Sequence, residues 1–389
     1  MNSHIIGWAH TPFGRLPQES LEELIREVAA PAIAHAGLEP DAIDAVFIGV
    51  FNNGFQKQDF PSSLVMQAVP QLRFKPATRL ENACASGSAA VHAALNFVEA
   101  GKGRTALVIG AEKMTALSNQ EVGNVLLGAS YQAEGEGNCA GGFAGVFGQI
   151  AEAYFARHGE RWDSLARIAA KNHRNGASNP LAQIRRDLGF DFCRTVNDQN
   201  PRVAGPLRRT DCSPVSDGAA ALVLSNADIA AQAPQSVRFR AAVQVNDFLP
   251  ISRRDMTRLE GCQTAWQKAL LESKLSLEDL DLVETHDCFT IAELMEYEAM
   301  GLTPVGKGHV AIDEGWVEKD GRLPINPSGG LKAKGHPIGA TGVSMHAMAA
   351  MQLTGTAGGI QISNAQRAGV FNMGGTGVAN YVSILEQSR

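Results

Sequence analysis

The sequence of 389 residues lacks the features that mark several protein classes. It contains no C-x-x-C pair, so zinc-ribbon and dithiol redox motifs have no support. No apolar run reaches the length of a membrane span, no secretory signal precedes the first apolar segment, and the C-terminal residues carry no peroxisomal or lipidation signal. The formal net charge of -6 gives no electrostatic reason to expect nucleic acid or an anionic membrane as a partner.

Cysteine is present, but not in the density of a disulfide framework. The six cysteines are Cys84, Cys139, Cys193, Cys212, Cys262 and Cys288. They are scattered through a large chain, unlike those of a small secreted domain, so free thiols in a reducing compartment fit best. We therefore expect a cytoplasmic protein with no metal site.

A repeated order of elements is the main signal of domain organisation. A helical pattern from residue 20 ends near Gly37 and is followed by an apolar strand at 45–50. A second helical pattern at 264–273 leads to another apolar run. Residues 37–46 align with residues 274–283 without a gap.

A second similarity between the two parts of the chain follows in the same order. The turns at 84–87 and 339–342 each precede a helix, rich in alanine in the first case and in methionine in the second. Two such similarities favour duplication over chance and predict two related α/β halves, with the functional site where the paired turns meet.

The segment between the halves differs in composition. Residues 119–205 are polar and rich in glycine and asparagine, and they are too many for a simple connection. We predict an inserted loop domain there, with an N-terminal half at 1–118 and 206–241 and a C-terminal half at 242–389.

Cys84 is the first candidate for chemistry. Small residues surround it at the predicted start of a helix, where the helix dipole favours a thiolate. Local context leaves two readings open, a nucleophile or a buried packing thiol.

His336 lies in a segment rich in glycine and proline, which could aim an imidazole but could also expose a histidine to solvent. Its place before the turn at 339–342 favours the first reading, because the repeat would bring it across from Cys84. His286 and Cys288 follow the strand of the second half, at a strand end where open α/β sheets hold ligands. The alternative for both is core packing, which we also expect for the other four cysteines.

Together these segments resemble the thiolase family, closest to its sterol-carrier-protein type. The resemblance covers essentially the whole chain and combines several motifs: Asn82-Ala83-Cys84-Ala85-Ser86-Gly87, the Gly-His-Pro-Ile-Gly-Ala-Thr-Gly run at 335–342, Gly374-Gly375, His286-Asp287-Cys288-Phe289, Lys171-Asn172-His173 and Asn326-Pro327-Ser328-Gly329-Gly330. The combination is far more specific than any one motif.

The resemblance implies a duplicated five-layer αβαβα fold with an inserted loop domain. It implies an acetyl-CoA acyltransferase that makes or cleaves 3-ketoacyl-CoA, as in fatty acid metabolism, with coenzyme A thioesters as substrates and no permanently bound cofactor. Cys84 would carry the acyl group and His336 would activate it. His336 and His286 together would then polarise the thioester oxygen of the second substrate. The backbone N–H groups of Cys84 and Gly374 would hold the oxyanion.

One departure assigns a further role. Most thiolases carry a second catalytic cysteine in a C-terminal Cys-x-Gly, and this chain has Asn372 at that position. In the sterol-carrier-protein type the thiol of His-Asp-Cys-Phe is thought to replace it, which gives Cys288 the acid/base role. Asn372 itself would then contribute only packing or a hydrogen bond.

Other readings stay open. The chain could be a thiolase-like acyltransferase subunit that needs a small OB-fold partner, or a non-catalytic protein that binds acyl-CoA or lipid. A retro-aldolase of the same fold is disfavoured by the presence of both Cys84 and Cys288. The family pairs subunits beside the nucleophile helix, so we expect a homodimer or a homotetramer.

Overall fold

The computed structural model describes residues 1–17, 19–135 and 141–388. Its strands are β1 (Ser3–His10), β2 (Ala45–Gly49), β3 (Ala77–Leu80), β4 (Thr105–Glu112), β5 (Arg202–Ala204), β6 (Leu207–Arg208), β7 (Gly218–Asn226), β8 (Val237–Asn246), β9 (Leu282–Glu284), β10 (Arg367–Gly374) and β11 (Ala379–Gln387). Its helices are α1 (Leu21–His35), α2 (Pro61–Ala68), α3 (Ser86–Glu99), α4 (Asn119–Leu126), α5 (Phe143–His158), α6 (Trp162–Ala177), α7 (Gly189–Arg194), α8 (Ala227–Ala230), α9 (Glu260–Ser273), α10 (Thr290–Ala299), α11 (Gly308–Asp313), α12 (Gly330–Lys334) and α13 (Ile338–Leu353).

The order of the strands repeats in mirror image about the middle of the sheet. Among the described residues the strands lie in the order β3-β2-β4-β7-β1-β8-β11-β10-β9. A short antiparallel pairing of β1 with β8 joins the two halves. On either side of it, β4 pairs parallel with β2 and antiparallel with β7, and β10 pairs parallel with β9 and antiparallel with β11. The predicted pair of α/β halves is therefore present.

The aligned segments also agree in local structure. Gly37 and Lys274 follow the ends of α1 and α9, and both adopt positive φ, +71° and +59°. Asp44 Oδ2 accepts hydrogen bonds from two backbone N–H groups at the start of β4, at 2.6 and 3.1 Å. Asp281 Oδ2 does the same at the start of β10, at 2.8 Å each. Such shared detail supports a duplication.

Two helices lie between the halves and two lie outside them. On β4, Leu107 and Ile109 face the core under α1, whereas Ala106 and Val108 face the core that contains α3, as expected from the two-residue period of a strand. Helix α13 is buried almost all round and contacts α3, β4 and β10. Helix α9 packs on β8 and β11. The result is the predicted five-layer αβαβα arrangement.

Missing side chains allow α3 and α13 to cross closely. A Cβ atom on Gly87 would lie 2.7 Å from the Gly339 carbonyl oxygen, and one on Gly339 would lie 2.4 Å from that of Ala111. These contacts are shorter than real Cβ atoms tolerate. Glycine at 87 therefore lets the N-terminal ends of the two helices meet, and glycine at 339 lets the start of α13 lie against β4.

The segment between β4 and β7 contains α4 to α7 and packs on the second half through α6. Helix α5 lies within the segment predicted as the loop domain. The predicted boundaries of the loop domain and of the two halves remain predictions. Strand β8 runs across the predicted boundary between the halves at residue 241. Cys139 lies outside the described residues.

None of the helices in the described parts of the chain combines the length and apolar character needed to span a membrane.

Candidate active site

Cys84 lies in the turn between β3 and α3, one residue before the N-cap of the helix. The preceding residue, Ala83, adopts a left-handed conformation with φ +49°. The Ser86 hydroxyl stabilises this turn, because it donates to the Ala83 carbonyl oxygen at 2.7 Å and accepts from the Asn82 N–H at 3.0 Å. Cys84 is buried, with 4% of its surface exposed.

The thiol of Cys84 is protonated in the resting structure. Burial raises its pKa to about 12, although the N–H groups of Gly375 and of Cys84 itself act to lower it. The prediction that the helix start favours the thiolate is therefore wrong for the resting site, because loss of solvation outweighs the backbone dipoles. A neighbouring base must take the proton before the sulfur can attack.

His336 presents a lone pair to the site. Its Nδ1 lies 2.7 Å from the Thr341 hydroxyl, which lies 3.0 Å from the Pro337 carbonyl oxygen. That carbonyl can only accept, so the hydroxyl donates to it and accepts from Nδ1–H, which leaves Nε2 unprotonated. Burial and the Lys334 ammonium lower the pKa of His336 to about 3, so the ring is neutral at pH 7.

His286 presents an N–H group to the site, whereas His336 presents a lone pair. Asn372 Nδ2 lies 3.1 Å from the Cys84 carbonyl oxygen and 2.8 Å from His286 Nδ1. Because the carbonyl accepts, this nitrogen is the donating NH₂ group and His286 Nδ1 is an acceptor. The proton is therefore on Nε2, which is buried and has no hydrogen-bond partner among the described residues. Burial and His336 lower the pKa of His286 well below its usual value.

The structure brings these three side chains together. The Cys84 Sγ and one ring nitrogen each of His286 and His336 all lie within 4.8 Å of one another. The two imidazole rings meet edge to face, with centroids 5.1 Å apart. A thiolate and two histidines at this spacing could also ligate zinc. The neutral thiol between a ring lone pair and a ring N–H fits proton transfer and hydrogen-bond donation.

Cys288 lines the same cavity of about 270 Å³ as Cys84 and His336. Burial raises the pKa of Cys288 well above its usual value, and the nearby Cys84 adds to the effect. The rest of the lining is mostly apolar and includes Met114, Val122, Leu126, Phe143, Phe289 and Ile338. Such a cavity suits an acyl chain.

Two of the other cysteines are packing residues, as predicted, whereas a third also lines the cavity of the candidate active site. Cys193 and Cys262 are fully buried in apolar clusters. Cys212 instead lines the cavity beside Cys84 and Cys288. Its backbone pairs with that of Phe289 in an isolated antiparallel bridge. The sequence offered no signal for this position, because the contact joins segments far apart in the chain.

Asp287 connects the loop of His286 to the loop of His336. Its carboxylate accepts from the backbone N–H groups of Leu331 and Lys332, at 2.6 and 3.1 Å, and from Asn172 Nδ2 at 2.7 Å. Burial, followed by the neighbouring Glu293, raises the pKa of Asp287 to about 7. The sequence analysis named the motif that contains Asp287 but gave this residue no role.

A second, wider cavity of about 790 Å³ adjoins the first and shares its wall at residues 212–215. Its lining contains the cationic side chains Arg15, Arg186, Arg209 and Lys332. No carboxylate is among its described lining residues. An anionic ligand would therefore be attracted to this cavity, although the whole chain is acidic.

The predicted oxyanion site involves the end of β10. Gly374 lies there, and its Cα approaches the Asn82 carbonyl so closely that a Cβ atom would lie 2.2 Å from that oxygen. In the resting structure the N–H of the next residue, Gly375, reaches the Cys84 sulfur. The assignment of the Cys84 and Gly374 N–H groups to the oxyanion remains a prediction.

Known proteins match the chain over almost its full length. The family model "Thiolase, N-terminal domain" matches residues 3–188, and "Thiolase C-terminal domain-like" matches residues 243–387. An acetyl-CoA acetyltransferase of Methanothermobacter thermautotrophicus is 36% identical over 388 residues, which cover 98% of this chain and 99% of that protein. The chain belongs to the thiolase family.

Other thiolase-related proteins agree with this assignment. Human sterol carrier protein 2 is 30% identical over 395 residues, which cover 95% of this chain and 69% of that protein. The solved Ltp2-ChsH2(DUF35) aldolase has a TM-score of 0.85 and 22% identity, with 100% of this chain and 98% of that chain covered. At that identity the structural likeness supports the fold alone. Family membership makes the protein an acyltransferase.

Proposed function

We propose that this thiolase makes or cleaves 3-ketoacyl-CoA through an acyl group carried on Cys84. The observation that supports this most strongly is the pair of opposite tautomers at the buried thiol. His336 offers the lone pair that can take the thiol proton, and His286 offers an N–H for a developing negative oxygen.

The first half-reaction acylates Cys84. His336 Nε2 takes the Cys84 proton, and the sulfur attacks the thioester carbonyl of the first acyl-CoA. The CoA thiolate leaves as the carbonyl re-forms, and the protonated thiol of Cys288 donates to it. Because burial raises the pKa of Cys288 well above its usual value, its thiol is protonated before this step and has a proton to donate.

The second half-reaction forms the carbon–carbon bond. The Cys288 thiolate left by the first step removes a proton from the α-carbon of the second acyl-CoA. The His286 Nε2–H stabilises the enolate oxygen, and the α-carbon attacks the acyl group on Cys84. The Cys84 and Gly374 N–H groups would hold the resulting oxyanion. The Cys84 thiolate then leaves and recovers its proton from His336, and the reverse sequence is thiolysis.

The wider cavity is the proposed site of the coenzyme A phosphates. Coenzyme A is an anionic ligand with a long thiol-bearing arm. The basic side chains of the wider cavity suit its phosphates, and the shared wall at 212–215 would guide the arm towards Cys84. The substrates would be coenzyme A thioesters, with no permanently bound cofactor.

A test of this function is brief exposure of the purified protein to acetyl-CoA. Intact mass should show one acetyl adduct, peptide mapping should place it on Cys84, and Cys84→Ala should remove it. Acetoacetyl-CoA plus CoA should then yield acetyl-CoA. An adduct on another cysteine would contradict the mechanism. Tight binding of acyl-CoA without any turnover would instead favour a non-catalytic binding protein.

A second candidate is an acyltransferase subunit that acts only with a small OB-fold partner. The observation that favours it is the similar solved aldolase, whose name includes a second component, ChsH2(DUF35). Co-purification with a small protein and inactivity without it would support this candidate. Full turnover by the chain alone would exclude it. In either case we propose a homodimer or homotetramer in the cytoplasm, which sedimentation and cell fractionation can test.

A further inference from the structure

Asn372 makes more contacts at the site than its predicted role in packing or a single hydrogen bond requires. It lies on β10, is completely buried, and uses its whole side-chain amide. Its Oδ1 accepts from the Ser88 hydroxyl at 2.8 Å, and its two Nδ2 hydrogens go to the Cys84 carbonyl oxygen and to His286 Nδ1. It therefore contacts the start of α3, the carbonyl of Cys84 and the ring of His286.

The orientation of this amide follows from its partners. The carbonyl of Cys84 has no proton, so the amide atom facing it must be the NH₂ group. The reversed amide would place its oxygen against that carbonyl oxygen, and neither atom carries a proton to donate. Only one orientation satisfies all three contacts, and in it His286 Nδ1 receives a hydrogen bond.

We propose that Asn372 is a positioning residue that holds His286 as the Nε2–H tautomer, so that a donor and not a lone pair faces the enolate oxygen. This inference rests on the proposed function and adds a residue to it. A lone pair on Nε2 would repel the enolate oxygen instead of stabilising it. The carbon–carbon step should therefore depend on Asn372, whereas acylation of Cys84 should depend mainly on His336.

The decisive variant is Asn372→Asp, which has nearly the same shape but presents an acceptor. A carboxylate beside Nδ1 attracts the ring proton, so Nε2 loses it. We expect carbon–carbon turnover to fall by about a hundredfold or more, as for loss of an oxyanion donor, while the acetyl adduct on Cys84 still forms. Asn372→Leu removes the same hydrogen bonds without adding a charge and should lower turnover in the same direction.

Two readouts separate positioning from folding. Nitrogen-15 NMR of labelled histidine, with His286 assigned from the signal lost in His286→Asn, should show the Nε2–H form in the wild type and a shift to the Nδ1–H form in Asn372→Asp. Asn380→Asp is a matched control on the neighbouring strand, because Asn380 is buried and its amide bonds only to backbone carbonyls. It should leave the His286 tautomer unchanged.

A double-variant cycle gives the second readout. In a His286→Asn background there is no ring tautomer to select, so Asn372→Asp should cost less than about a tenth of its effect on turnover in the wild type. Equal costs in both backgrounds would overturn the inference. So would an Nδ1–H tautomer in the wild type, or turnover within threefold of normal in folded Asn372→Asp.

The NMR experiment does not depend on activity. If the wild type neither acylates nor turns over acyl-CoA, the proposed function fails, while the tautomer measurement still decides whether Asn372 orients His286.

Discussion

At the scale of single residues, chemically identical side chains present different groups to the site because their neighbours differ. His286 and His336 are both buried, both neutral and close to the same sulfur. The Thr341 hydroxyl leaves one ring with a lone pair on Nε2, and the Asn372 amide leaves the other with an N–H there. The two thiols, Cys84 and Cys288, are likewise distinguished by their place relative to these rings and not by their own chemistry.

Cys288→Ala should separate the two half-reactions. Removing a proton from the α-carbon of a thioester needs a base, and such a base contributes on the order of a hundred- to ten-thousandfold. We expect condensation and thiolysis to be lost by that order, while Cys84 still acquires an acetyl group, more slowly. Acyl-enzyme formation by mass spectrometry and turnover by thioester absorbance should be measured separately.

Cys212→Ala is the comparison for this variant, since Cys212 lines the same cavity, within the wall proposed to guide the coenzyme A arm, but transfers no proton in the proposed mechanism. It can weaken substrate binding and so raise the KM, but it should lower kcat far less than Cys288→Ala does, because it removes no acid or base. Near-normal turnover in a folded Cys288→Ala protein would refute the assignment of Cys288 and require another base.

At the scale of elements, the site depends on how closely α3 and α13 cross. Gly87→Ala would place a methyl group 2.7 Å from the Gly339 carbonyl oxygen and 2.9 Å from two backbone nitrogens of α13. Overpacking of this kind costs about 1–3 kcal/mol of unfolding free energy. Because the helix starts carry the Cys84 and His336 loops, we also expect turnover to fall by more than the loss of folded protein.

Gly123→Ala is the control for the loss of stability. Gly123 lies within α4, and a methyl group there would meet nothing within 4 Å. The helix should gain up to about 1 kcal/mol from the better propensity of alanine. Urea unfolding of both variants tests the pair, and equal stabilities would show that the crossing tolerates a methyl group.

At the scale of the whole molecule, buried titratable groups limit the pH range of stability. Burial lowers the pKa of His10, His92, His173 and His336 to about 3 and that of His346 to about 4. In the unfolded chain these rings titrate near 6.5, so below that pH only the unfolded state takes up their protons. Their contribution to stability is therefore lost as the pH falls from about 6.5 towards 4.

Buried carboxyl and thiol groups also change the free energy of unfolding, in the same pH range as the histidines or above it. Burial raises the pKa of Glu112 and Asp287 to about 7, so these carboxyls oppose the histidines between about pH 4.5 and 7. Burial also raises the pKa of Cys84 and Cys212 to about 12, so above about pH 9 only the unfolded thiols ionise and stability is lost as the pH rises.

The unfolding free energy should therefore be greatest between about pH 6.5 and 9 and fall on both sides. Replacing one buried ring, as in His92→Gln, should reduce the acid-side slope by about 1.4 kcal/mol per pH unit. Urea unfolding from pH 5 to 10 measures both effects. An acid-side slope that is unchanged in His92→Gln would contradict this account.

The sequence alone was sufficient for the duplication and for most members of the site. Asp44 and Asp281, aligned by a gapless match of ten residues, make the same backbone hydrogen bonds. Such features could be recognised because turns, helix caps and helical periodicity are determined by residues that are close together in the sequence. The motifs around Cys84, His286 and His336 named the residues that the structure brings together.

The roles of particular atoms depend on contacts between distant segments. The bond from Asn372 to Cys84 joins residues 288 positions apart, and the bond from Asn372 to His286 joins residues 86 apart. The protonation of Cys84 likewise depends on burial by several elements, which reversed the expectation from its place at a helix start. Tautomers, pKa values and the placement of Cys212 in the cavity are set by the three-dimensional environment, because desolvation and hydrogen-bond partners come from whichever segments the fold brings together.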